Sequence, residues 1–174
     1  MREAKMRVLG KWNDIHPDAE IGEGTTIWSW NRIGRAKIGR NCKISNWVHI
    51  EDGCVIGDNC NFQPYVILNG NTRVGDRVFF AGGVHTTDIK YPTIEAPSFK
   101  EPVKIECDAV LGNGCKLSAG ITIGRGAVIG LGAVVTKSVP DNEVWIGVPA
   151  RFYCTREEYD RKKRDHESKR RDKT

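Results

Sequence analysis

The sequence predicts an all-β chain wound as a parallel β-helix of hexapeptides, and three observations carry that prediction. From residue 105 to 140 a large aliphatic residue opens every sixth position: Ile105, Leu111, Leu117, Ile123, Ile129 and Val135. A small or β-branched residue stands four places after each opener: Ala109, Cys115, Ile121, Ala127, Ala133 and Val139. Turn formers gather between the two, as in Gly112, Asn113 and Gly114. A period of six fits neither the 3.6 of a helix nor the alternation of a plain strand. It fits a solenoid in which each hexad supplies one short strand and one corner.

Taken in order, residues 1–14 show no repeat and read as a lead-in. Hexads then open at Ile15, Ile21, Ile27 and Ile33. The next opener, Ile38, comes one residue early, which predicts a one-residue deletion at a corner near Gly34. From there the phase holds through Ile44, Ile50, Ile56, Phe62, Leu68, Val74 and Phe80. The matching inward positions are Cys42, Val48, Cys54, Cys60, Val66, Thr72, Val78 and Val84. One hexad cannot bury its apolar pair, but stacked coils bury a continuous column. Roughly seventeen hexads, three to a coil, predict about six coils.

Between residues 85 and 104 the pattern lapses into a stretch with Pro92, Pro97 and Pro102. Such a segment leaves the prism as an excursion loop, and a long loop in a compact repeat is usually functional. The repeat domain therefore spans 15–151. Residues 152–174 read as a helix and charged tail, with Thr155 and Glu158 forming a capping box. This helix is expected to cover the open edge of the last coil.

Composition narrows the function classes. The chain has 174 residues, enough for one core, with 19 glycines and a net charge of +5. No stretch approaches a membrane span, and the first ten residues are too charged for a signal peptide, so a cytoplasmic protein without membrane partners is expected. The tail's lysines and arginines are interleaved with acidic residues, which favours a solvated helix over nucleic-acid binding. Cys42, Cys54, Cys60 and Cys115 take inward positions as compact apolar residues. No CxxC pair exists, so no metal site is predicted. Cys42 and Cys60 fall in neighbouring coils, either as free thiols or as a disulfide. Trp28, Trp30 and Trp47 fall at non-inward positions, which implies burial against another subunit or ring stacking in an acceptor pocket.

The hexads at Ile123 and Ile129, the run from Val134 to Pro140, and the motif Gly147, Val148, Pro149, Ala150, Arg151 resemble the hexapeptide-repeat acyltransferases over about residues 15–151. Ile15, His16 and Pro17, with Ile27, Trp28, Ser29 and Trp30, resemble the branch that acetylates amino groups of nucleotide-linked sugars. The resemblance implies a left-handed parallel β-helix and a homotrimer with active sites in clefts between subunits. It also implies acetyl-CoA as donor, its pantetheine arm along the later coils.

Acetyl transfer from a thioester needs a base near neutral pKa, a donor for the oxyanion and cations for the CoA phosphates. Of the four histidines, His16 and His166 fall at the ends of the chain and His49 points out from a flat face. His85 follows inward Val84 at the start of the loop and is the candidate base, with Asp88 or a loop carbonyl as its orienter. By the resemblance, Gly120 and Ala133 match positions that touch pantetheine, Lys137 and Arg151 match cations near the CoA phosphates, and Arg125 is a weaker candidate. Where the amino-sugar branch carries a Gln-Asn pair, this chain has Gln63, Pro64 and Tyr65, which leaves the acceptor open. Asn46 and Asn69 are candidates for sugar hydroxyls, or plain corner asparagines.

The expected function is acetyl-CoA-dependent transfer to an amino or hydroxyl group of a sugar, nucleotide-linked in the reading favoured here. A non-catalytic β-helix scaffold is the alternative. A metal enzyme like the γ-class carbonic anhydrases would need converging histidines, two of them on one strand, and no such pair occurs.

Overall fold

Three faces, each a ladder of two-residue strands, make up the prism. The computed structural model describes residues 7–95 and 99–171. The first six residues of the lead-in, loop residues 96–98 and tail residues 172–174 lie outside that set. The first face runs from Arg7–Val8 through Thr26–Ile27, Lys43–Ile44, Asn61–Phe62, Phe79–Phe80, Val110–Leu111 and Val128–Ile129 to Glu143–Ile146. On the second face stand Asp14–Ile15, Arg32–Ile33, His49–Ile50, Ile67–Leu68, His85–Thr86, Lys116–Leu117 and Val134–Val135. The third holds Glu20–Ile21, Lys37–Ile38, Val55–Ile56, Arg73–Val74, Lys104–Ile105 and Thr122–Ile123. Coil-to-coil pairing within each face is parallel, and the parallel β-helix expected from the repeat is the fold observed.

Openers and fifth-position residues fill the axis as the repeat predicts. Ile27, Ile44, Ile50, Leu68, Leu111 and Ile129 are fully buried, and so are Cys42, Val48, Cys60, Val66, Val78 and Val84. Phe62 and Phe80 stack in the core with ring centroids 4.5 Å apart. The close approach of coils explains glycine after the opener. A Cβ at Gly112 would lie 2.6 Å from the Leu131 nitrogen.

The pairing locates the deletion where the sequence put it. Asp14 pairs with Arg32 and Lys37 with Val55, eighteen residues on, whereas Glu20 pairs with Lys37 and Arg32 with His49, only seventeen on. The residue is lost at the corner between Ile33 and Lys37.

Four expectations need correction. The solenoid has about eight turns rather than six, because the lead-in already contributes a rung: Arg7–Val8 pairs with Thr26–Ile27. His85–Thr86 is a strand, paired to Ile67 below and to Lys116–Leu117 above, so the loop starts after it and not at residue 85. Residues Arg151–Thr155 form a strand antiparallel to Glu143–Ile146, not the start of a helix. This strand covers the edge of the first face and pairs its backbone groups directly. The helix, Arg156–Arg171, follows and buries none of its residues. Its capping box is made: Thr155 N donates to Glu158 Oε2 (3.1 Å) and Glu158 N to Thr155 Oγ1 (3.2 Å). Among the described residues no helix is long and apolar enough to cross a membrane.

Candidate active site

The outer column of the second face reads Asp14, Arg32, His49, Ile67, His85, Lys116 and Val134. Strand alternation turns these side chains away from the core while Ile50, Leu68 and Leu117 point in. His85 is half-buried on this face. Burial pulls its pKa below the ordinary histidine value, and the Lys116 charge pushes the same way. A hydrogen bond to the Tyr65 backbone carbonyl opposes both in part. Lys116 Nζ in turn donates to the Gly83 carbonyl at 3.3 Å. Burial and the Lys116 charge together favour the neutral imidazole. That form leaves one ring nitrogen's lone pair available to take a proton.

Asp88 pairs across the loop. It is 2% exposed, and its Oδ2 lies 2.8 Å from Lys100 Nζ. Its backbone carbonyl accepts from Glu101 N at 2.8 Å. With His85 inside a strand, Asp88 falls in the loop beyond the corner. There it pins the start of the excursion to its end.

The residues matched to the CoA donor lie on the last coils, around the second face. Gly120 N donates to Glu101 O at 2.9 Å, and a Cβ there would meet Glu101 Oε2, so the loop lies directly on this corner. Ala133 is fully buried. Its carbonyl accepts from Lys116 N at 2.9 Å and its N–H donates to Gly130. Its fifth-position side chain points into the core, so only its backbone faces outward. Lys137 and Arg151 are exposed in the last turn, Arg151 with one guanidinium nitrogen 2.9 Å from the Ala150 carbonyl. Arg125 sits on the corner after the third face, where its N–H donates to Asp141.

Asn46 and Asn69 flank the second face on opposite corners. Asn46 Oδ1 accepts from Ser29 N at 2.9 Å. Asn69 N donates to Thr86 Oγ1 at 2.8 Å, and its amide reaches Glu51 at 3.5 Å. Both stitch one coil to the next. His49 lines an open cavity of about 240 Å³ with Arg32, Gly34, Ile50, Glu51 and Asp52. Cys42 and Cys60 are free thiols, their sulfurs donating to the Gly57 and Gly75 carbonyls.

An aromatic column borders the site and was not foreseen. Trp12, Trp30, Trp47 and Tyr65 occupy one corner in four successive coils and stack with centroid spacings of 5.2, 5.2 and 6.4 Å. All four adopt positive φ, between 55° and 65°. A side chain in that region costs about 1–2 kcal/mol, and each stacked pair returns about 0.5–1.5 kcal/mol. The signal lay in the spacing: these rings recur at the same 18- and 17-residue intervals as the coils. Trp30 and Trp47 stack on each other yet remain 43% and 48% exposed.

Comparison with known proteins completes the description. A family model described as bacterial transferase hexapeptide (six repeats) matches residues 35–70, and one described as hexapeptide repeat of succinyl-transferase matches 102–137. The chain is 34% identical over 119 residues to UDP-3-O-acylglucosamine N-acyltransferase of Caulobacter sp. (strain K31), covering 68% of this chain and 26% of that protein. In fold it is similar to PerB from Caulobacter crescentus, solved in complex with CoA and GDP-perosamine, at a TM-score of 0.52 and 24% identity. That match covers 86% of this chain and 58% of the other. The acetyltransferase domain of PglB from Neisseria gonorrhoeae, in complex with acetyl coenzyme A, matches at 0.53 and 17% identity, covering 87% and 58%. At such identities the structural likenesses speak for the fold.

Proposed function

As a member of the hexapeptide-repeat transferase family, this chain is, we propose, an acetyltransferase that moves the acetyl group of acetyl-CoA to an amino or hydroxyl group of a nucleotide-linked sugar. The observation that carries the reading is His85: a half-buried imidazole on the outer side of the second face, beside Lys116, with burial and that charge favouring its neutral form. The kinship with an acyltransferase acting on a nucleotide-linked glucosamine supports the substrate class. PerB, with CoA and a nucleotide-linked sugar bound, supports the donor.

The steps are few. The free imidazole nitrogen takes a proton from the acceptor amine or hydroxyl as that group attacks the acetyl carbonyl, forming the new C–N or C–O bond. The C–S bond then breaks, and the departing thiolate takes the proton from His85. Lys137 and Arg151, exposed in the last turn, are the cations available to the CoA phosphates. The active assembly in this reading is a homotrimer in the cytoplasm, with the second face of one subunit turned towards a neighbour. His85→Ala should lower turnover about 100-fold or more while leaving CoA affinity intact. Near-normal turnover would move the base elsewhere.

A further inference from the structure

We propose that the free face of Tyr65, above the shelf left open at Gly83, is the stacking platform for the sugar ring that bears the reacting group. This inference rests on the acetyltransferase reading above. The column Trp12, Trp30, Trp47, Tyr65 stops at Tyr65, whose ring is 60% exposed. The same corner in the following coils holds Gly83, Gly114 and Gly132, again at positive φ. The four aromatic residues show that this corner accepts a side chain in that conformation, so backbone geometry does not demand glycine. Nor does crowding. A Cβ at Gly83 would find its nearest neighbour, Gly114 Cα, at 3.7 Å, and at Gly114 and Gly132 nothing lies within 4 Å. The column thus ends at an open shelf, level with His85.

What surrounds the shelf suits a phosphorylated sugar. A pyranose presents a face of C–H groups that stacks on an aromatic ring, and its rim carries hydroxyls. The stack beneath Tyr65 holds the platform in place, so little side-chain freedom is lost on binding. Lys116 Nζ stands at the Gly83 carbonyl, where a cation can meet an anomeric phosphate. His85, two residues after Gly83 and paired with Ile67 and Lys116, borders the same shelf. A ring resting there brings its amine or hydroxyl to the base.

The test uses the full chain with acetyl-CoA and three probes: GDP-perosamine, UDP-glucosamine and glucosamine 1-phosphate. Tyr65→Ala should raise the acceptor KM about tenfold with the acetyl-CoA KM unchanged, the scale of one lost stacking contact. Gly83→Tyr, which extends the column into the shelf, should abolish acceptor binding and keep CoA binding. Quenching of tryptophan fluorescence by the probes reads binding without turnover and should vanish in Gly83→Tyr. An unchanged acceptor KM in both variants would overturn the proposal. So would wild-type fluorescence indifferent to all three probes, or a Tyr65→Ala effect confined to oligomer mass. Fluorescence that responds without any thiol release from acetyl-CoA would remove the acetyltransferase reading and leave the shelf standing.

Discussion

His85 owes its suitability to three neighbours that push its protonation in different directions. Burial and the Lys116 charge lower its pKa, and the Tyr65 carbonyl partly restores it. The sign for Lys116 follows directly: a nearby cation disfavours imidazolium, so removing it raises the pKa. Lys116→Ala should therefore move the acid limb of the kcat/KM profile to higher pH, since the base then protonates sooner as pH falls. An unmoved limb would mean that another group sets the profile. At the aromatic corner, Trp30 stacks on both Trp12 and Trp47. Trp30→Ala should cost about 1–3 kcal/mol, two stacked pairs' worth, measured by urea unfolding. A loss below about 0.5 kcal/mol would show the rings adjacent but uncoupled. At this scale the sequence was partly legible. His85 could be chosen because it follows an inward valine outside the plain repeat. The inward direction of Ala133 follows from its fifth position, whereas the Asp88–Lys100 pair was not legible, because it joins the two ends of a segment without a repeat.

The elements were read from periodicity, which works where each residue's direction repeats. Every opener from Ile27 to Ile129 that the six-residue phase assigns is buried, and the early opener at Ile38 marked a real deletion. Periodicity fails where hydrogen bonding rather than burial decides. His85–Thr86 pairs as a strand although Thr86 is polar, its hydroxyl accepting from Asn69 N. At the C-terminus, Arg151–Thr155 alternates little in burial yet forms the strand that the first face's edge requires. The excursion loop is held at its root by the Asp88–Lys100 pair and by Glu101 on Gly120. Asp88→Asn weakens the pair at little cost in shape. It should speed protease cleavage within residues 89–101 while the unfolding temperature of the prism stays within a few degrees. Unaltered cleavage would assign the loop's order to other contacts.

At the scale of the molecule, the prism is a rigid column that places chemistry by rung and face. The second face carries His85, the proposed base, one of its corners the aromatic column, the other the loop, and the last turn the exposed cations Lys137 and Arg151. In the proposed reading, a face so arranged leaves the donor's long arm and the acceptor open on one side. The proposed trimer closes that side with a neighbour. Light scattering of the purified chain should give the mass of three subunits, and a monomer at micromolar concentration would remove the shared cleft. The central claim is transfer from a thioester under the control of one imidazole. Its most direct test follows free-thiol release from acetyl-CoA with amino-sugar nucleotides as acceptors, comparing the native chain with His85→Ala. The account expects acceptor-dependent release that falls about 100-fold in the variant. Release that does not depend on an acceptor, or that survives the loss of the imidazole, would contradict it.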